Sequence, residues 1–247
     1  MPRLGQHFLT DPSYLERVVD AAGIAVGDRV LEIGPGRGHL THHLLERGAE
    51  VDAIELDRGL LDQLEREFAN EPDLRLHQGD AAQIAWPDAH KLVANLPYEI
   101  SSPTVERFLD SDMEVAVLTL QRAFAQRLAA DPAEEEVSRL TVAAQLRCEP
   151  EIRFTIPKGA FDPPPQVRSA CVRLRPRQPP TTQAPDLMEE VLDHVFTQKR
   201  KMLRSSLADV DGARAALESL GLAKTRPGRV PIDTWPELAD RIHEEQA

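Results

Sequence analysis

Short apolar segments alternate with amphipathic stretches along the first three-quarters of this 247-residue chain. The predicted strands are residues 29–33, 50–55, 74–78, 92–95 and 115–120. The predicted helices between them include residues 40–45, 60–68 and 105–109. Alternation of this kind predicts an α/β fold, a mostly parallel sheet with helices on both faces. Two later strands, 151–156 and 169–174, are separated by a proline-rich loop, so we expect an antiparallel hairpin at one sheet edge.

The pattern changes near residue 178. Residues 176–185 hold four prolines and two threonines, a composition typical of a linker. Beyond it the periodicity is purely helical, over 187–196, 203–207, 213–220 and 235–242. We therefore predict a first domain over residues 1–178, a proline-rich linker over 179–185 and a small all-helical domain over 186–247.

Charge, hydropathy and cysteine content exclude several classes of protein. The net charge of −12 makes the chain a poor generic binder of nucleic acid. No apolar run approaches the roughly 20 residues needed to span a bilayer, and the first residues form no apolar signal core. Cys148 and Cys171 fit no metal spacing, and neither do His39, His42 and His43. We expect a cytoplasmic protein with no membrane partner, disulfide or metal.

A glycine-rich turn follows the first predicted strand, over residues 32–39 (Glu-Ile-Gly-Pro-Gly-Arg-Gly-His). Crowded glycines let a ligand approach the backbone closely, although a tight turn without a ligand is the alternative. A dinucleotide site needs glycine at position 39, which is His39, whereas Gly38 gives the spacing typical of S-adenosylmethionine sites. Glu55 ends the second strand, where an acid can accept both ribose hydroxyls. Asp80 follows the third strand, where a carboxylate can accept from an adenine amino group.

Residues 95–98 (Asn-Leu-Pro-Tyr) follow the fourth strand. An amide oxygen and a backbone carbonyl can accept hydrogen bonds from an exocyclic amino group, and an aromatic ring can stack on the base that carries it. We therefore predict chemistry on a nucleobase amine. The predicted catalytic residues are Asn95, Leu96, Pro97 and Tyr98.

With these motifs, the chain resembles the KsgA-like family of small-subunit ribosomal RNA adenine dimethyltransferases. The resemblance runs from residue 4 to about residue 207. Its motifs lie in order at 5–9, 32–38, 54–57, 79–81, 95–103, 161–170 and 196–204. The family usually has asparagine at the position of His7 and a neutral amide at that of Glu99.

The resemblance implies a Rossmann-like class I methyltransferase domain that uses S-adenosyl-L-methionine. It implies transfer of four methyl groups in all to the 6-amino groups of two adjacent adenines near the 3′ end of small-subunit rRNA. The substrate would be this rRNA or the immature small ribosomal subunit, and we expect the protein to be a monomer. The residues that match the family's cofactor site are His7, Leu9, Gly34, Gly36, Glu55, Asp80 and Asn95.

Contacts with RNA are predicted at two places. Tyr98, with Phe161 as second candidate, would stack the flipped base. A basic run stands out from its acidic surroundings and is a candidate for phosphate contact rather than only a solvated helix face. Its cations are Lys199, Arg200, Lys201 and Arg204.

Two other functions remain open at this point. Large-subunit rRNA methyltransferases of the macrolide-resistance type share the cofactor motifs and a similar tetrapeptide, but residues 199–204 and the run around Phe161 favour the small-subunit enzyme. A nucleic-acid-binding assembly factor could use the same fold without catalysis. The presence of Glu55, Asp80 and Asn95 argues against that factor.

Overall fold

The structure, a computed structural model, describes residues 7–135, 137–178 and 180–246. The β-strands, numbered along the chain, are β1 (Phe8–Leu9), β2 (Arg29–Ile33), β3 (Glu50–Glu55), β4 (Leu74–Gln78), β5 (Lys91–Asn95), β6 (Val115–Gln121), β7 (Cys148–Ile156), β8 (Phe161–Asp162) and β9 (Ser169–Pro176). The α-helices are α1 (Pro12–Ala22), α2 (His39–Glu46), α3 (Arg58–Glu67), α4 (Ser101–Leu109), α5 (Arg122–Leu128), α6 (Arg139–Arg147), α7 (Pro185–Thr197), α8 (Leu203–Ser206), α9 (Ala213–Ser219) and α10 (Thr234–Gln246). Residues 5 and 6 of the first predicted motif and residue 179 of the predicted linker lie outside the described residues.

The main sheet has seven strands in the order β4-β3-β2-β5-β6-β9-β7. Neighbouring strands from β4 to β6 are parallel, and β9 is antiparallel to β6. The mostly parallel sheet with β7 and β9 together at one edge is therefore confirmed. The central strands β2 and β5 are buried along nearly their whole length, which explains their continuous apolar sequence.

The order of the strands fixes where a ligand can bind. From β2 the chain builds outward through β3 and β4, then returns to the other side of β2 with β5. At such a switch point the connections leave in opposite directions, so a crevice opens at the carboxyl ends of the two strands. The glycine-rich turn follows β2, and Asn95 ends β5.

A second, two-stranded sheet was not predicted. Strand β1 pairs with β8 in antiparallel fashion, with Leu9 opposite Phe161. The backbone N–H groups of Thr10 and Asp11 also donate to the carbonyl of Ala160, at 2.9 and 3.3 Å. Strands of two residues carry no measurable periodicity, so only the fold reveals that the segment before α1 joins the loop before β9.

The chain divides into two compact units. The first contains the residues up to Gln126 and Glu149–Pro176, and the second contains Arg127–Cys148 and the residues from Arg177 onward. The predicted division was contiguous, with a boundary at 178. The structure instead groups residues 127–148, which lie between β6 and β7, with the C-terminal helices.

Apolar packing explains this grouping. Val142 and Leu146 of α6 share one buried core with Leu192 of α7 and with Trp235 and Leu238 of α10. The sequence pattern does not reveal this shared core. Helix α6 follows the parallel strands along the chain, but its apolar side is buried among the C-terminal helices.

Two further observations concern membranes and thiols. No helix within the described ranges is both long and apolar enough to cross a membrane.

Cys148 and Cys171 are buried free thiols, and burial raises their pKa to about 11 and about 12. Both thiols are therefore protonated at neutral pH.

Candidate active site

A cleft that is partly open to solvent lies at the carboxyl ends of β2 and β5. Its lining residues are His7, Phe8, Gly34, Gly36, Glu55, Asn95, Leu96, Pro97, Tyr98 and Phe161. The structure thus brings most of the predicted cofactor residues together with the whole tetrapeptide 95–98. The cleft lies within the first unit.

The glycine-rich turn forms one wall of the cleft. Gly34 and Gly36 both have left-handed backbones, with φ of 69° and 59°. A Cβ atom on Gly36 would lie 2.7 Å from the ring of Phe8, and one on Gly34 would lie 3.5 Å from Pro97. Glycine is therefore required at position 36 by both conformation and space.

Glu55 is held at the floor of the cleft. It is only 5% exposed, and its two carboxyl oxygens accept backbone N–H bonds from Gly36 at 3.1 Å and from Asp57 at 2.8 Å. Burial raises the pKa of Glu55, although these hydrogen bonds oppose the rise. Each oxygen keeps a second lone pair, so the side chain can still accept from a pair of hydroxyl groups.

A second buried acid, Glu32, is the fourth residue of β2 and lies two residues before Gly34. One of its oxygens accepts from the Thr41 hydroxyl at 2.7 Å, which joins the end of β2 to the first turn of α2. Burial raises the pKa of Glu32 to about 8, repulsion from Glu55 adds to the rise, and the Thr41 bond opposes it. Glu32 is therefore mostly protonated at neutral pH.

The side-chain amide of Asn95 is oriented by the segment that carries β1. Its Nδ2 donates to the backbone carbonyl of His7 at 3.1 Å. A carbonyl can only accept, so the nitrogen faces His7 and Oδ1 faces away from it. No group in the described ranges forms a hydrogen bond to Oδ1, which leaves this oxygen to accept from a ligand.

His7 also anchors the loop before β9. Its ring nitrogen Nδ1 donates to the carbonyl of Pro163 at 2.8 Å. The ring lies beside that of Tyr98, with centroids 6.3 Å apart and planes tilted by 37°. At this position, where the resembling family usually has asparagine, His7 contributes both a wall of the cleft and a tether between two distant segments.

Two aromatic rings, those of Tyr98 and Phe161, line the cleft. The hydroxyl of Tyr98 is hydrogen-bonded to that of Ser169 at 2.8 Å, and burial raises the pKa of Tyr98, so the phenol stays neutral. Phe161 is buried and lines the same cleft. Rings fixed in this way are suited to contact with a planar base.

Several predicted site residues lie elsewhere. Leu9 is buried in the apolar core of the first unit and does not line the cleft. Asp80 follows β4 at the same sheet edge, and its carboxylate accepts from the backbone of Ala82 at 2.9 Å and the side chain of Gln83 at 2.8 Å. The basic run is exposed in the second unit, with its first three cations between α7 and α8 and Arg204 within α8. Its members are Lys199, Arg200, Lys201 and Arg204.

Other residues of the site were not predicted. Phe8 lines the cleft and Ser169 holds Tyr98, and both lie inside motifs whose other members were assigned roles. Trp86 and Arg107 both donate to the carbonyl of Ala81, and the Arg107 guanidinium lies 4.4 Å from the centroid of the Trp86 ring. They fix the loop that follows Asp80, a role that no local pattern indicates.

Known proteins resemble this chain along its length. Residues 1–239 match a family described as ribosomal RNA adenine dimethylase. The chain is 41% identical to a probable ribosomal RNA small subunit methyltransferase A of Methanopyrus kandleri, over 97% of this chain and 91% of that protein. It is 38% identical to the ribosomal RNA small subunit methyltransferase A of Pseudomonas fluorescens, over 99% and 94%.

Solved structures give the same picture. A dimethyladenosine transferase from Plasmodium falciparum superposes with a TM-score of 0.86 at 26% identity, over 97% of this chain and 98% of that one. The 23S rRNA methyltransferase ErmE gives a TM-score of 0.77 at 28% identity, over 96% and 99%.

Proposed function

The chain belongs to the ribosomal RNA adenine dimethylase family, and from that premise we propose that it dimethylates the 6-amino groups of two adjacent adenines in the 3′-terminal hairpin loop of small-subunit rRNA. The methyl donor is S-adenosyl-L-methionine and the substrate is the immature small ribosomal subunit. We propose further that the enzyme acts as a monomer in the cytoplasm. The observation that carries the proposal is the free Oδ1 of Asn95, which shares one cleft with Glu55 and two aromatic rings.

The cofactor side of the cleft fits the proposed donor. S-adenosyl-L-methionine supplies a methyl group on an electrophilic sulfonium. Gly34 and Gly36 have no side chains to fill the cleft, and Glu55 has lone pairs for the two ribose hydroxyls. Asp80, at the neighbouring strand end, would accept from the adenine amino group of the cofactor.

The acceptor side must overcome the weak nucleophilicity of an adenine amino group, whose lone pair is delocalised into the ring. Asn95 Oδ1 and the carbonyl of Leu96 or Pro97 would accept the two N–H bonds and so direct the lone pair out of the ring plane. Tyr98 and Phe161 would hold the flipped base by stacking.

No strong general base is required. Once methylated, the amino nitrogen carries a positive charge and is a strong acid, so it passes its proton to water at the partly open cleft. Tyr98 is neutral and its hydroxyl is bonded to Ser169, so neither hydroxyl serves as the base. Catalysis then rests on positioning and on oxygen atoms that face the developing charge.

Labelled methyl transfer to isolated ribosomal subunits tests the proposal. Small and large subunits that lack these modifications are incubated with the protein and labelled donor, and the 3′ fragment of small-subunit rRNA is analysed by mass spectrometry. We expect two adjacent dimethylated adenines in the small subunit and no label in the large one. Label confined to large-subunit RNA, or product that stops at monomethyladenine, would overturn the proposal.

A further inference from the structure

Three exposed cations lie within three residues either of the last pair of the β6–β9 ladder or of Phe161: Arg122, Lys158 and Arg168. Within the described part of the chain, none of the three is within ion-pair distance of a carboxylate. Other arginines of the same unit do pair with acids, as Arg37 does with Asp162 at 2.8 Å and Arg47 with Asp20 at 2.6 Å. Arg66 and Arg175 of this unit are also exposed and have no carboxylate partner in the described ranges, so the three cations are distinguished by their position and not by the lack of an ion pair.

The two arginines are neighbours at the end of the sheet ladder. The last pair of the β6–β9 ladder is Gln121 opposite Ser169, and the backbone N–H of Arg122 donates to the carbonyl of Arg168 at 2.9 Å. Ser169 in turn holds the hydroxyl of Tyr98. Each arginine is therefore one residue away from the ladder pair that supports the proposed stacking ring.

Lys158 joins the same loop from the other side. Its ammonium group donates to the carbonyl of Gln166, two residues before Arg168. It also lies three residues before Phe161, the second aromatic wall of the cleft. Because an ammonium has three donors, two remain for another ligand.

Phosphate is the ligand that this arrangement fits. When a nucleotide places its base in a pocket, the phosphates on either side of it remain at the mouth. Guanidinium groups bind phosphate oxygens in a bidentate manner, and an ammonium binds them as a point charge. The exposed Glu99, beside Tyr98, would repel the same phosphates, and the three cations would offset that repulsion.

We propose that Arg122, Lys158 and Arg168 bind the phosphates that flank the target adenine and act as positioning residues for the base. The proposal rests on the proposed function, because it takes RNA as the substrate. It differs from the basic run at 199–204, which belongs to the second unit, because these cations share a unit with the pocket itself.

The test compares two double variants with equal loss of charge. Arg122→Gln with Arg168→Gln removes both arginines of the proposed contact. The control, Arg66→Gln with Arg175→Gln, removes two exposed arginines of the same unit, one in the last turn of α3 and one toward the opposite end of β9. Lys158→Gln is measured alone and in combination with the first pair.

Steady-state transfer to small-subunit RNA is measured over a range of salt concentrations, together with cofactor affinity by calorimetry. For the Arg122 and Arg168 pair we expect KM for RNA to rise about tenfold or more at low salt, with cofactor affinity unchanged. The slope of log(kcat/KM) against log salt should become shallower by about 2, roughly one for each phosphate that the variant no longer binds. Arg168→Lys, which keeps the charge, should retain most of the activity.

Two outcomes would overturn the proposal. One is an equal effect in the Arg66 and Arg175 control, which would mean that only total charge matters. The other is an unchanged KM and salt slope in the Arg122 and Arg168 pair. The wild-type protein distinguishes failure of this proposal from failure of the proposed function. If the wild type methylates only large-subunit RNA, the proposed substrate is wrong. The same variants are then measured on large-subunit RNA.

Discussion

The two sides of the cleft are held together over very different distances along the chain. On the cofactor side, Glu32 and Thr41 are 9 residues apart and Gly36 and Glu55 are 19 apart. On the acceptor side, the bonds from Asn95 to His7, from Tyr98 to Ser169 and from His7 to Pro163 span 88, 71 and 156 residues. The cofactor side is thus built by adjacent βα elements, whereas the acceptor side depends on the docking of the β1 segment and the loop before β9. We therefore expect substitutions on the cofactor side to weaken cofactor binding, and substitutions on the acceptor side to lower kcat, each with little effect on the other quantity.

The largest effect is expected for Asn95→Ala. The substitution removes the oxygen that orients the amine and should lower kcat by about three orders of magnitude, as loss of a positioned charge-stabilising group does in other enzymes. Cofactor affinity, measured by calorimetry, should change less than about threefold. A loss of cofactor affinity as large as the loss of kcat would show that the cofactor side and the acceptor side of the cleft do not act separately. Asn95→Asp distinguishes the two roles of this side chain. It keeps an oxygen that can accept from the amine, but it loses the N–H group that donates to the carbonyl of His7.

The second effect concerns stability and pH on the cofactor side. The pKa of Glu32 is raised to about 8 in the folded chain, so the folded state keeps a proton that the unfolded state releases above its ordinary pKa of 4.5. The resulting stabilisation is complete below pH 4.5 and is lost as the pH rises to about 8.

Glu32→Gln should remove this dependence. Between pH 5 and 8 the wild type should lose a few kcal/mol of unfolding free energy relative to the variant, roughly 1.4 kcal/mol per pH unit. Urea denaturation at several pH values measures both proteins. Parallel pH profiles for the two would contradict the assigned protonation of Glu32.

Glu55→Gln should be next in size. One of the two oxygens that accept from backbone N–H groups is replaced by an amide nitrogen, which cannot accept. Cofactor affinity should fall about 10- to 100-fold, the range for hydrogen bonds to a charged or strongly polar group. At saturating cofactor, kcat should stay within a few-fold of the wild type. A large fall in kcat with unchanged cofactor affinity would show that Glu55 acts in the transfer step and not in cofactor binding.

Gly36→Ala probes the point at which the two sides touch. The substitution forces a left-handed backbone on alanine, at a cost of about 1–2 kcal/mol, and brings Cβ to 2.7 Å from the Phe8 ring. We expect weaker cofactor binding and a lower unfolding free energy. Adding Phe8→Ala should relieve the clash but not the backbone cost, so the double variant should recover only part of the loss. Full recovery would mean that the backbone conformation at Gly36 is not strained by a side chain.

The same contrast explains what the sequence could and could not predict. The glycine-rich turn and Glu55 were found because strand, turn and helix follow one another within about thirty residues, where periodicity and spacing are informative. The mostly parallel sheet followed from that alternation, whereas the order of its strands was not predicted. The tetrapeptide was found by its chemistry, although nothing local predicted that His7 orients its amide.

What was not predicted depends on pairings between distant segments. The β1–β8 sheet, the Tyr98–Ser169 bond and the neighbouring Arg122 and Arg168 all arise from the register of strands far apart in the chain. The grouping of residues 127–148 with the C-terminal helices has the same origin. Leu9 was predicted for the cofactor site from its motif, but its side chain points into the core.

The bond between His7 and Pro163 also sets an order of events during translation. The ribosome makes Gly36 and Glu55 soon after His7, but Pro163 only 156 residues after His7. Domains fold progressively as the chain emerges, so a nascent chain can assemble the turn around Glu55 while His7 still lacks its partner. The wall that orients Asn95 closes only after about two-thirds of the chain has been synthesised, at residue 163 of 247. An enzyme proposed to act on ribosomal RNA therefore gains its acceptor pocket later in synthesis than the turn on the cofactor side.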